Sequence, residues 1–212
     1  MILNNIEEIA TFIVKDGKGI LAADESNPTC GKRFDSIGVE STEENRRDYR
    51  EMLFRSKGMN GNIGGVILFD ETIRQNSATG TPLVDLITAQ GALPGIKVDK
   101  GLKPIEGLEE NLTQGLEGLD ERLKEYYDLG AKFTKWRAVI NIGKDLPSEA
   151  AISANMEALA SYAKIVQDNE MVPMVEPEVL MDGTHNIDKC FTTTTDVLNE
   201  CYNDCLLYTS PS

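Results

Sequence analysis

The sequence has 212 residues, 41% of them hydrophobic and 26% charged, which excludes a disordered, collagen-like or disulfide-scaffold chain. Its 35 acidic side chains against 21 basic ones give a formal charge of −14, the wrong sign for a nucleic-acid backbone binder. No apolar run reaches the roughly 18 residues a membrane helix needs, and the first residues carry Glu7 and Glu8 where a secretory signal is basic, so neither a membrane partner nor a targeting segment is expected.

In chain order, residues 4–16 read as a helix and the apolar run 19–24 as a first strand. Residues 41–54 start with a Ser-x-x-Glu capping box, with acids in the first turn and bases later, and predict a helix. Glycines 58, 61, 64 and 65 precede the second apolar run, 65–70, and read as a flexible connection, because a phosphate-binding glycine loop would follow a strand. Helices are expected over 82–90 and over 112–129, where leucines recur at 112, 116, 119 and 123 before Gly130. Runs at 95–99, 131–137 and 171–177 read as further strands, 147–169 as a long Ala-rich helix, and 187–204 as a weaker helix. The alternation implies a parallel sheet with right-handed crossovers, either open and doubly wound or closed as a barrel.

Each strand ends in polar, mostly ionisable side chains: Asp24, Glu25 and Ser26; Asp70 and Glu71; Lys97, Asp99 and Lys100; Lys135 and Arg137; Glu176 and Glu178. In parallel β/α proteins these C-terminal ends share one face, and chemistry sits there. Lys97 and Lys135 lie within strands, where a buried ammonium needs a carboxylate such as Asp24 or Glu176. Lysines among acids suit Schiff-base or enolisation chemistry. Trp136 alternates with Lys135 and Arg137 and should pack on the opposite face, under a helix. His185, the sole histidine, reads as a loop residue rather than a metal ligand, and the four cysteines read as reduced thiols.

At these residues the sequence closely resembles class I fructose-1,6-bisphosphate aldolase, the metal-free Schiff-base family with a (β/α)8 barrel. The resemblance is carried by 17–26 (GKGILAADES), 31–34 (GKRF), 42–47 (TEENRR), 65–72 (GVILFDET), 94–101 (PGIKVDKG), 114–119 (QGLEGL), 135–137 (KWR) and 172–178 (VPMVEPE), in family order. It implies a lyase of glycolysis and gluconeogenesis that needs no cofactor or metal and takes a sugar phosphate. It implies that Asp24 handles the C4 hydroxyl proton during C–C cleavage and that Glu176 is the acid/base of carbinolamine formation and dehydration. Lys135 then stabilises the developing hydroxyl charge beside Glu176. Ser26, Arg33, Lys97 and Arg137 match substrate contacts, chiefly on the C6-phosphate side, Glu178 matches a supporting carboxylate, and Thr29 stands where many relatives have serine. Full-length relatives are expected to be homotetramers. The stretch 24–33 resembles the plastid and algal branch, which leaves the cytoplasm or a plastid as the compartment.

The resemblance covers about five β/α units of the eight, over residues 1–204, as an incomplete barrel. The Leu-Leu-Lys-Pro segment that holds the family's Schiff-base lysine does not occur in these residues. Residues 205–212 depart from the family pattern and are expected to be a non-native tail. The expectation is a segment inactive alone; the alternatives are another Schiff-base barrel aldolase, an open α/β enzyme, or a non-catalytic binding or scaffold fragment.

Overall fold

The structure, a computed structural model, describes Leu3 and residues 5–209. Its helices are α1 (Ile6–Val14), α2 (Asn27–Asp35), α3 (Glu43–Phe54), α4 (Asp70–Ile73), α5 (Leu83–Ala89), α6 (Leu119–Asp128), α7 (Glu149–Asp168) and α8 (Ile187–Thr209). Its strands are β1 (Gly19–Ala23), β2 (Ile63–Leu68), β3 (Leu93–Lys97), β4 (Leu102–Pro104), β5 (Asn111–Thr113), β6 (Phe133–Ile140) and β7 (Val172–Val179). Five strands form one sheet in the order β1-β2-β3-β6-β7, and β4 pairs with β5 in a separate antiparallel ribbon. β1 and β2 run parallel, as do β2 and β3. A doubly wound sheet reverses its strand order at a switch point, whereas this order follows the chain throughout, as successive units of a (β/α)8 barrel do. The barrel-type reading of the sequence therefore holds.

The chain divides into two compact units. The first comprises residues 1–97, 123–134 and 170–172. In it Asn5 caps α1, accepting from Glu8 N at 2.8 Å, and Ile9 and Ile13 are buried. α1 lies so close to β2 that a Cβ on Gly64 would sit 1.9 Å from the Ile13 carbonyl oxygen. The buried ring of Phe133 likewise occupies the space beside Gly95. The α3 cap is Thr42, one residue beyond the expected Ser41, and its hydroxyl accepts from Asn45 N at 3.1 Å. Ser41 instead receives Arg46 Nη1 on its carbonyl oxygen, at 2.7 Å.

The second unit comprises residues 98–122, 135–169 and 173–212. Ser148 caps α7 through Ala151 N at 3.2 Å, and buried Glu110 holds that serine by accepting from its backbone N and its hydroxyl at 3.0 and 2.5 Å. Fully buried Asn155 on α7 donates to Asn111 O at 2.9 Å and accepts from Thr113 N, tying β5 to the helix. α7 packs along α8.

Three expectations change. The leucine spacing over 112–129 mixes two elements: Leu112 sits in β5, and only Leu119 and Leu123 lie in α6, both buried. Gly115 and Gly118, at φ of 139° and 63°, break the helical path between them. Glycines 64 and 65 belong to β2 rather than to a flexible connection, because α1 and Phe133 need the room. α2 was not expected, since it carries only Cys30 and Phe34 as an apolar face and has Gly31 inside it. Of the tail expected from residue 205, residues 205–209 continue α8 and residues 210–212 lie outside the described residues.

Candidate active site

In the first unit, Asp24 follows directly on β1 and is buried at 9% exposure. Ser26 and Thr29 bring their hydroxyls within 3.0 Å at the start of α2. Arg33, one turn further on, is exposed and ion-paired with Glu25, which pushes the Arg33 pKa up. Glu25 accepts the Tyr49 hydroxyl at 3.1 Å and forms an ion pair with the Arg50 guanidinium at 2.9 Å. Beside this turn Arg46 grips both oxygens of Glu71, and Asn27 Nδ2 donates to the same carboxylate at 3.2 Å. The Arg46 hydrogen bonds hold Glu71 below the usual carboxylate range despite its partial burial. Lys97 ends β3, half-buried.

In the second unit, Lys135 Nζ lies 3.0 Å from Glu176 Oε2, with Lys135 buried at 8% exposure and the Glu176 side chain at 40%. Two residues along each strand, Arg137 pairs with Glu178, and this bond raises the Arg137 pKa. Arg137 N also donates to Asp99 Oδ2 at 3.4 Å. Strand alternation puts Lys135 and Arg137 on one face, with Trp136 on the other, fully buried 5.3 Å from Tyr162 on α7 as expected.

Thus the structure joins Lys135 to Glu176, Arg137 to Glu178, and Ser26 to Thr29, and gives Arg33 to Glu25. An ammonium against a half-exposed carboxylate can relay a proton and stabilise negative charge that develops on a bound hydroxyl. Arg46, Tyr49 and Arg50 escaped the sequence reading as contributors. Their signal was the i, i+4 spacing of two arginines on one face of α3. Among the described residues no group of three His, Cys, Asp or Glu side chains could hold a metal ion.

Sequential β/α units carrying paired lysine, arginine and carboxylate groups at their strand ends define a segment of a barrel enzyme. The class-I fructose-bisphosphate aldolase family matches residues 5–207, and this chain belongs to that family. The chain is 52% identical over 203 residues to the probable fructose-bisphosphate aldolase class 1 of Xanthomonas axonopodis pv. citri, covering 95% of this chain and 61% of that protein. It is 54% identical over 194 residues to fructose-bisphosphate aldolase 6, cytosolic, of Arabidopsis thaliana, covering 91% of this chain and 54% of that protein. Among solved structures it resembles fructose-bisphosphate aldolase from Plasmodium falciparum, crystallised with TRAP and a small-molecule inhibitor, at a TM-score of 0.92 and 45% identity, over 99% of this chain and 64% of that one. The chain therefore spans between one half and two thirds of the length of these relatives.

Proposed function

We propose that the protein these residues belong to cleaves fructose 1,6-bisphosphate reversibly to dihydroxyacetone phosphate and glyceraldehyde 3-phosphate, through a lysine Schiff base. The observation that carries this reading is the Lys135–Glu176 pair at 3.0 Å, with its ammonium nearly excluded from water. Glu176 is the proton carrier for carbinolamine formation and dehydration, and Lys135 stabilises the charge on the departing hydroxyl. Asp24 takes the C4 hydroxyl proton as the C3–C4 bond breaks. Ser26, Thr29, Arg33, Lys97 and Arg137 hold the substrate, chiefly its C6 phosphate, and Glu178 holds Arg137 in place. The reaction belongs to glycolysis and gluconeogenesis, and the whole protein is a homotetramer as the family resemblance implies. Relatives named cytosolic from Arabidopsis thaliana and cytoplasmic from Spinacia oleracea favour the cytosol over a plastid.

These 212 residues contain no Leu-Leu-Lys-Pro segment, so the proposed nucleophile is not among them and they do not turn over substrate alone. The test joins residues 1–204 to the downstream segment of the Xanthomonas axonopodis relative and measures cleavage of fructose 1,6-bisphosphate. Glu176→Gln and Asp24→Asn should each lower kcat by roughly 100-fold or more. Parent rates in both variants would overturn the roles given to them.

A further inference from the structure

We propose that Arg50 is a positioning residue for Asp24, clamping the turn from Ala23 to Cys30 in its working geometry before any substrate arrives. The inference rests on the role given to Asp24 above and adds to it a residue buried away from solvent.

Arg50 projects from α3 and is 2% exposed. Its Nε donates to Ala23 O at 2.7 Å, its Nη2 to Glu25 O at 2.9 Å, and its Nη1 to Cys30 Sγ at 3.2 Å. Nη2 also stands 2.9 Å from Glu25 Oε2. Three peptide planes connect Ala23 to Ser26, and the guanidinium holds the carbonyls of the first and third. Asp24 lies between them, so a rigid planar fork holds its backbone on both sides. A lysine ammonium is a point charge on a flexible stem and cannot reproduce this spread of donors.

The energetics favour a positional reading. Removing a guanidinium from water is costly, and its partners here are one carboxylate, two carbonyls and a thiol. A well-packed apolar side chain would stabilise α3 against β1 at lower desolvation cost. The clamp reaches further through Glu25, whose Oε2 faces Arg50 while its Oε1 takes Arg33 and the Tyr49 hydroxyl. The side chain proposed to read phosphate and the carboxylate proposed to take the hydroxyl proton are therefore aligned by the same buried cation.

The test uses the 212-residue chain and needs no turnover. Hydrogen exchange is followed residue by residue in the parent, Arg50→Lys and Arg50→Ala, with α7 as internal reference, and the 13Cγ resonance of Asp24 is assigned through Asp24→Asn. Loss of the charged hydrogen bonds should speed exchange at residues 24–30 by roughly 10- to 100-fold with α7 unchanged. The Asp24 13Cγ resonance should move in both variants. Millimolar guanidinium, and not ammonium, should restore both readouts in Arg50→Ala. Parent-like exchange and an unmoved resonance in Arg50→Lys would overturn the proposal, as would an even rise in exchange across the turn and α7. If Arg50→Ala does not fold, Arg50→Lys alone decides by the same two readouts. Failure of the aldolase reading would show in the cleavage assay and leave these readouts untouched.

Discussion

Arg46 holds Glu71 as a two-point fork, with Nε 2.7 Å from one carboxylate oxygen and Nη2 2.6 Å from the other. The pair links α3 to the residue that follows β2 and Asp70, and both side chains are largely shielded from water. Because Glu71 is held below its ordinary value, the folded state binds its proton more weakly than the unfolded chain does. The stabilisation is therefore complete above the unfolded carboxylate value near ~4.3 and is lost as pH falls through the lower folded value. Glu71→Gln should cost roughly 1–3 kcal/mol at pH 7 in urea unfolding, and the cost should shrink at pH 3. An equal cost at both pH values would contradict the assignment.

Gly64 has no room for a methyl group, because the Ile13 carbonyl oxygen occupies the space. Gly64→Ala should force α1 away from β2 and lower stability by about 1–3 kcal/mol. An alanine at Gly38 meets no atom, and its cost there arises from a φ of 70° alone. Urea midpoints of both variants separate collision from backbone strain. A Gly64→Ala midpoint equal to the parent's would show that the close approach is not real.

Cys201 and Cys205 face each other one turn apart on α8. The hydrogen bond from Cys201 lowers the Cys205 pKa to about 7, while the same bond and burial push the Cys201 pKa up. Cys205 should be the first of the four cysteines to react with iodoacetamide, at a rate rising through pH 7. Cys201→Ala should move that midpoint toward the ordinary thiol value of about 8.5. Peptide mapping after brief labelling checks both, and uniform labelling of Cys30, Cys190, Cys201 and Cys205 would count against the thiol pair.

α8 also presents Ile187, Phe191, Tyr202 and Leu206 to solvent, each more than 60% exposed. Large apolar side chains exposed in this number promote self-association. Sedimentation velocity should show concentration-dependent oligomers that a Phe191→Ser, Tyr202→Ser variant suppresses without a lower Tm. A monomeric parent at every concentration would refute this.

The strand assignments were legible because a parallel strand covered on both faces reads as an unbroken apolar run, as Gly65 to Leu68 does. That Lys135 would meet a carboxylate was legible too, since a lysine inside a strand demands one, although that rule left Asp24 and Glu176 both open and only the family resemblance put Lys135 beside Glu176. What stayed hidden depended on contacts distant in sequence. β5, paired with β4, takes the first residues of the helix suggested by leucine spacing, and α2 gains its order from partners such as Arg50 on Cys30 and Glu71 on Asn27. Gly64 could not be told from a loop glycine without the Ile13 backbone beside it.

In the proposed reading these residues carry the proton-handling and phosphate-side groups of a Schiff-base aldolase, and its nucleophilic lysine lies outside them. Incubation of the 212-residue chain with dihydroxyacetone phosphate and borohydride, followed by intact mass measurement, tests this most directly. The mass should be unchanged, and a stoichiometric reduced adduct on Lys97, Lys135 or any other lysine would contradict that reading.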